Sequence, residues 1–384
     1  MDLDWSEEQE LLRATVRRVC AEHAPLEVVR AMEDDPTGYP AGFWKQLAET
    51  GVTGLLIPEE HGGSGLTLLD AAIVYEELGR ALAPSPHFPS AVLGASLLLA
   101  AGSAAQQRAW LPRIAAGEAI LTPAWLEPDG GFGPRGVQLA ARADGDGFVL
   151  DGVKRHVPFA SAAERLVVLA RTGPADDAVD LFLVDPRAAG VTLAQQKSLA
   201  ADTQYEVRLA GVRVPADARL GGAGSGWATW DAVMLDAVVL LAAYAMGGAE
   251  RALEITVQYA KDRKQFDKPL GAFQAIAHYL ADAATAVDGG RTLVYEAAWA
   301  RAHGRPTARL APMAKLFACQ TWRDVTAMCQ QVWGGVGFTI EYDIQLYFRR
   351  AKQLQITWWD ARTLEERIAA DVLDGDAPFR SELG

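Results

Sequence analysis

Cysteine is scarce in this chain, with three residues, Cys20, Cys319 and Cys329, among 384. They are odd in number and far apart, so they make neither a zinc-ligand spacing nor a disulfide framework, and a reduced, cytoplasmic chain without a metal site is expected. An excess of positive charge is absent too. The formal net charge is -13, which argues against nucleic acid and anionic membranes as partners, since both select for surplus Lys and Arg. It leaves room for an anionic small molecule, which local cations can hold. The apolar runs, such as Ala237–Met246, read as too short to cross a bilayer, so no membrane span is expected. The N-terminal MDLDWSEEQELL is acidic and amphipathic, unlike a signal or transit peptide. No glycine-rich dinucleotide fingerprint follows a strand pattern, which argues against a Rossmann domain.

Half of the residues are apolar and 22% are charged, an ordinary balance for a globular chain that can bury one large core or two to three smaller ones. The patterning predicts a mostly α protein with a central β domain. Residues 1–118 are helical in period. Leu11, Leu12, Val16, Val19 and Cys20 form one stripe, and Ser6 with Gln9 three residues later predicts a capping box ahead of it. Gly62-Gly63-Ser64-Gly65 precedes a helix over Thr67–Leu82. Without a preceding strand or a nearby Lys or Arg, it reads as a tight interhelical turn, not a phosphate loop. Over 119–222 the period changes to short β-branched runs, at Phe148–Leu150, Leu166–Leu169, Val179–Val184 and Val207–Val214. Turn signals such as Asp144-Gly145-Asp146-Gly147 separate them, which predicts an antiparallel barrel or sandwich. Over 223–384 long helices return, at Trp227–Lys261, Ala272–His303, Thr307–Val332 and Leu354–Leu373. Gly247-Gly248 is the weak point of the first. Long helices with short connections predict an antiparallel four-helix bundle.

The most informative stretch is YAKDRKQFDKPLGAFQAIAHYLAD, Tyr259–Asp282. A helix ends in a dense cationic turn (Lys261, Arg263, Lys264), Pro269 interrupts it, and helical spacing resumes at Phe273, Ile276, Ala277 and Leu280. A helix C-terminus collects cations for its own dipole. That does not account for Arg-x-x-Phe followed at a fixed distance by Gln274. A second tract, QVWGGVGFTIEYDIQLYFRRAK from Gln331, carries Gly334, Gly335 and Gly337, where a backbone must turn or admit a close neighbour.

Together these tracts resemble those of the acyl-CoA dehydrogenases, and the resemblance extends over roughly Trp5–Leu373. It implies the same order of helical, β and helix-bundle domains, with FAD as cofactor. In the family, the residues matching Arg263, Phe266, Gln274, Gln331, Gly334 and Gly335 hold the adenosine diphosphate of a neighbouring subunit's FAD. Arg suits a diphosphate because its fork supplies several donors where Lys is a point charge. A donated site implies an oligomer, in this family a tetramer. The substrate implied is an acyl-CoA or carrier-bound acyl thioester, desaturated between its α and β carbons, with an electron-transfer partner as acceptor.

The catalytic half departs from the pattern. The family's base is commonly the Glu of a Tyr-Glu-Gly-Thr motif after Arg-x-Ala-Lys, and here Trp358 stands in its place. An alternative location on the helix ahead of Arg-x-x-Phe falls on Ala237. The nearest carboxylates, Asp360 and Asp236, are weak candidates. The flavin-ring motif Thr-Glu-Pro-Gly-x-Gly-Ser-Asp is Leu126-Glu127-Pro128-Asp129-Gly130-Gly131-Phe132-Gly133, and the second ring contact, Trp/Phe-Ile-Thr-Asn, is His156-Val157-Pro158-Phe159. Asp267 replaces the usual Gly after the Phe. Three readings remain open: a non-base subunit of a hetero-oligomeric dehydrogenase, of the type known in actinobacterial steroid and side-chain degradation; a self-sufficient homotetramer with a displaced base; and a flavin oxidase or monooxygenase of the same fold.

Overall fold

Ser6 and Gln9 close the first helix as their spacing requires. Each backbone N–H meets the other's side-chain oxygen at 3.2 Å. The structure, a computed structural model, describes residues 4–375. The outer ends of the predicted first and last domains, at 1 and 384, lie outside the described residues. The N-terminal helices are α1 (Glu7–His23), α2 (Leu26–Ala31), α3 (Ala41–Glu49), α4 (Leu68–Arg80), α5 (Ala95–Ala101) and α6 (Ala104–Ala115). The glycine-rich run before α4 is a packed turn. A Cβ on Gly63 would stand 2.0 Å from the Ile57 carbonyl oxygen, so only glycine fits.

The chain divides into two compact units. One holds Leu11–Val74 and Ala83–Ala237; the other holds, among the described residues, 4–10, Tyr75–Leu82 and 238–375. The first unit contains the sheet. Its strands are β1 (Leu121–Ala124), β2 (Ala140–Asp144), β3 (Gly147–Pro158), β4 (Arg165–Arg171), β5 (Val179–Val184), β6 (Val191–Gln196), β7 (Gln204–Pro215) and β8 (Arg219–Leu220). They form one eight-stranded sheet in the order β6-β7-β3-β2-β4-β5-β8, with β1 also paired to β4. The expected antiparallel barrel is therefore corrected to an open, mixed sheet. Closure needs the two edges to pair, and here the path ends at β6 and at the two-residue β8. β1 and β2 both run parallel to β4 where they meet it. β4 and β5 are buried along almost their whole length, which explains their near-continuous apolar sequence in place of alternation, interrupted in β5 by the buried Asp180.

The second unit carries the long helices. They are α7 (Gly226–Asp262, which begins in the first unit), α8 (Gln274–Ala302), α9 (Leu310–Trp333), α10 (Ile344–Ile356) and α11 (Ala361–Ala369). Between α7 and α8 lies a hairpin of β9 (Lys264–Gln265) and β10 (Lys268–Pro269). Gly247-Gly248 does not weaken α7. A Cβ on Gly247 would sit 1.8 Å from the Glu76 carbonyl oxygen and one on Gly248 2.5 Å from the Trp322 ring, so these glycines let α4 and α9 approach. Beside them Arg291 of α8 binds Glu76 at 2.9 Å and Glu250 at 2.7 Å, and Tyr295 donates to the same Glu76. By length and composition α7 could cross a membrane, contrary to the short run expected, but 78% of its most apolar window is buried in the fold. The predicted helix Leu354–Leu373 is two helices. The break is at Trp358 and Trp359, whose φ values of 53° and 73° leave the helical region.

Candidate cofactor and active site

Arg263 follows the last residue of α7, its N–H still bonded to the Tyr259 carbonyl at 2.8 Å. The chain then makes the β9–β10 hairpin, closed by Phe266 and Asp267 at φ 52° and 60°. Two consecutive left-handed residues between paired strands are the type I′ arrangement, which favours Asn, Asp and Gly. Asp267 is thus compatible with the turn where Gly is usual. Phe266 stands at the tip, 87% exposed, with its ring edge-on to Phe273 at 6.4 Å. Arg263 is exposed. Gln274 is also exposed and opens the 29-residue α8, whose first N–H groups and positive dipole end suit an anion.

The second tract lies against the first. Tyr259, one turn before Arg263, stacks on Trp333 with centroids 4.0 Å apart and planes 13° apart. Trp333 Nε1 donates to Thr256 Oγ1 at 3.0 Å. Gln331 is exposed, and α9 ends at Gly334, whose φ of 65° and ψ of -146° only glycine adopts readily. Gly337 is fixed by packing, since its Cβ would fall 2.6 Å from Gln330 Oε1. Gly335 has no such reason. Its φ is ordinary and a Cβ there would meet nothing within 4 Å. Arg263, Phe266, Gln274, Gln331 and Gly335 are thus exposed, and Gly334 half-buried, at or just beyond the ends of α7, α8 and α9.

The turn between α10 and α11 holds the expected base position. Trp358 is half-buried and Trp359 wholly buried, with the Arg367 guanidinium 3.7 Å over the Trp359 ring. Asp360 is a helix cap. Its Oδ1 accepts from Thr363 N–H at 2.9 Å and Thr363 Oγ1 at 2.7 Å, the bonding a helix N-terminus needs. Asp236 lies on the part of α7 that belongs to the other unit, so the two carboxylates are not brought together within one unit. Ala237 is fully buried.

In the first unit, Glu127 ties the 125–139 loop to the sheet. Its Oε1 accepts from Gln138 N–H and Leu139 N–H at 2.9 Å and from Lys154 Nζ at 2.7 Å. Lys154 also donates to the Trp125 carbonyl at 3.2 Å. Burial pushes its pKa down to about 8, against the pull of Glu127. His156 is exposed at a bulge, φ 55°, with Nδ1 3.0 Å from Gln204 Oε1.

Three family models match the chain: Acyl-CoA dehydrogenase, N-terminal domain, over residues 6–118; middle domain over 123–212; and C-terminal domain over 224–358. This chain belongs to the acyl-CoA dehydrogenase family. It is 33% identical over 366 residues to the probable acyl-CoA dehydrogenase YngJ of Bacillus subtilis, covering 93% of this chain and 95% of that one. Among solved structures, the ChsE4-ChsE5 complex from Mycobacterium tuberculosis superposes with a TM-score of 0.88 at 28% identity, over 98% of this chain and 100% of that one. A variant of the Tcur3481-Tcur3483 steroid ACAD gives 0.86 at 33% identity, over 97% and 99%.

Acyl-CoA dehydrogenases use FAD, and the residues here fit one half of it. The open backbone at Gly334 and Gly335, the exposed Arg263 and the start of α8 each offer what an adenosine diphosphate needs. The ring half fits less well, because Pro158 offers no hydroxyl and Phe132-Gly133 replaces Ser-Asp. Sequence reasoning passed over two buried lysines, Lys154 and Lys315. Each left a signal, a single cation within a strand or helix that is otherwise apolar on that face.

Proposed function

We propose that this dehydrogenase is the half-site subunit of a hetero-oligomer. It lends the diphosphate-binding ends of α7, α8 and α9 to a neighbouring chain that carries the catalytic carboxylate. The observation that carries this reading is the contrast between Gly335, which no contact or backbone angle within the chain requires, and position 358, where a Trp stands in place of the base. Indole cannot accept the α proton of an acyl thioester, and a base must be within hydrogen-bond reach of that proton. When bound, FAD takes the β hydrogen as hydride. The chain's own residues bind and orient: Arg263 supplies its guanidinium fork to the diphosphate, Phe266 offers a ring face to adenine, Gln274 and Gln331 offer amides, and Gly334 and Gly335 admit the cofactor close to backbone. ChsE4-ChsE5, whose solved structure is a complex of two named chains, supports such an arrangement. The steroid ACAD points to a bulky acyl-CoA as substrate class, and likeness to the family implies an electron-transfer protein as acceptor. Burial of most of α7 accounts for its apolar run without a membrane; by likeness to the family, the chain is read as cytoplasmic and tetrameric, with domains at 1–118, 119–222 and 223–384. Asp360 as the base of an oxidase is disfavoured, because its carboxylate is spent on capping α11.

The test is a visible absorption spectrum of the protein purified alone and after co-expression with an adjacent dehydrogenase-like chain. A colourless protein that gains one flavin for every two chains only with the partner supports the half-site reading. A full flavin complement in the protein alone, bleached by an acyl-CoA, refutes it and requires a displaced base.

A further inference from the structure

α10 ends at Ile356, and Thr357 follows it in extended backbone, φ -113° and ψ 155°, ahead of Trp358 and Trp359 at positive φ. The last carbonyls of a helix need donors. Here they come from another helix. Lys315 of α9 places Nζ 3.3 Å from the Leu354 carbonyl, 3.0 Å from that of Thr357 and 2.9 Å from that of Trp359. An ammonium has three N–H groups, and each has an acceptor. The side chain is fully buried, with its stem in the core of the bundle and Cys319 one helical turn further along α9. A cation at a helix C-terminus is also favoured by the dipole.

We propose that Lys315 is a positioning residue: its ammonium draws the carbonyls of Leu354, Thr357 and Trp359 together, and so fixes the turn that presents the side chain at 358. Two large residues in succession at positive φ are strained, and charge-assisted bonds, roughly twice as strong as neutral ones, hold them there. Within the turn only backbone carbonyls are gripped, the ammonium's one side-chain hydrogen-bond neighbour being Cys319 on its own helix. The device is therefore indifferent to which side chain stands at 358, and in this chain it presents an indole. The functional meaning of position 358 rests on the reading given under Proposed function; the role of Lys315 in shaping the turn is measured without flavin or turnover, so the two fail separately.

The experiment is fluorine NMR of the full chain labelled with 5-fluorotryptophan. The protein has 11 tryptophans; Trp358→Phe and Trp359→Phe assign two lines, and the remaining lines report the rest of the fold. In Lys315→Met, the lines of Trp358 and Trp359 are expected to shift and broaden while the others stay. Amides in the last turn of α10 should exchange about tenfold faster or more. Unchanged Trp358 and Trp359 lines overturn the proposal, as does a uniform change across all lines, which would make Lys315 a plain core residue. Should Lys315→Met fail to fold, the wild-type protein decides. An ammonium held by three carbonyls gives a slowly exchanging lysine nitrogen signal that disappears in Lys315→Arg, and absence of that signal in the wild type overturns the proposal.

Discussion

Among the described residues, the second unit contains two pairs of consecutive non-glycine residues in left-handed backbone, Phe266-Asp267 and Trp358-Trp359, with φ values of 52° and 60° against 53° and 73°. Locally they are alike. Their support is opposite. The first pair is the tip of a hairpin closed by its own two strands, and its aromatic ring is 87% exposed. The second has no hairpin and is held from outside, by Lys315 beneath it and Arg367 over the Trp359 ring. The comparison teaches that the same backbone strain can be carried by local hydrogen bonding or by tertiary contact, and that only the first kind leaves its side chain free for another molecule.

The largest effect is expected from Lys315→Met, which strips donors from one buried and two half-buried carbonyls. A loss of about 2–4 kcal/mol is expected in denaturant unfolding, the scale of a buried, charge-assisted set left unpaired. Trp359→Gly follows. Glycine relieves the φ of 73° but deletes a fully buried indole, and a net loss of about 2–3 kcal/mol is expected because cavity costs exceed backbone strain. A stabilised protein would mean that the pair is governed by strain, not by packing. pH separates the pairs as well. Burial, ahead of any charge partner, lowers the Lys315 pKa from 10.5. Below the folded pKa both states carry the proton. Between it and 10.5 the unfolded chain keeps a proton that the folded chain has released, so unfolding free energy should rise with pH in that window. Lys315→Met should lose this rise.

The smallest effects on stability belong to the tip. Phe266→Ala is expected to change unfolding free energy by less than about 0.5 kcal/mol, as for other exposed positions, yet to reduce the flavin retained by the assembled enzyme. A variant that keeps its flavin would remove Phe266 from the cofactor site. Asp267→Gly should be nearly neutral as well, within about 0.5 kcal/mol, because Asp already tolerates the left-handed region. It should tighten flavin by removing a negative charge near the diphosphate, measured as a slower release on dilution.

The contrast also explains what the sequence disclosed. Ser6 and Gln9, or Arg263 and Phe266, act through neighbours a few residues away, and spacing alone reveals them. Lys315 acts on carbonyls 39, 42 and 44 residues distant, so the chain displays only a lone cation in the apolar run LAPMAKLFACQ. The break at Trp358 was hidden for a related reason, since an apolar-periodic stretch from Leu354 continues across it without Gly or Pro. The open sheet was illegible because strand runs fix which residues pair inward but not which edges meet. Even Gly247-Gly248, which looked like a helix weakness, serves close approach to residues far along the chain.

If Gly334 and Gly335 admit a neighbour's cofactor as proposed, dilution has a consequence. A cofactor gripped partly by one chain and partly by its neighbour ties two equilibria together, since anything that binds the assembled form alone draws free chains into it by mass action. Flavin occupancy would then depend on protein concentration even with flavin in excess. Each chain made without its neighbour would carry no redox group, and so could not pass electrons to oxygen while waiting for its partner.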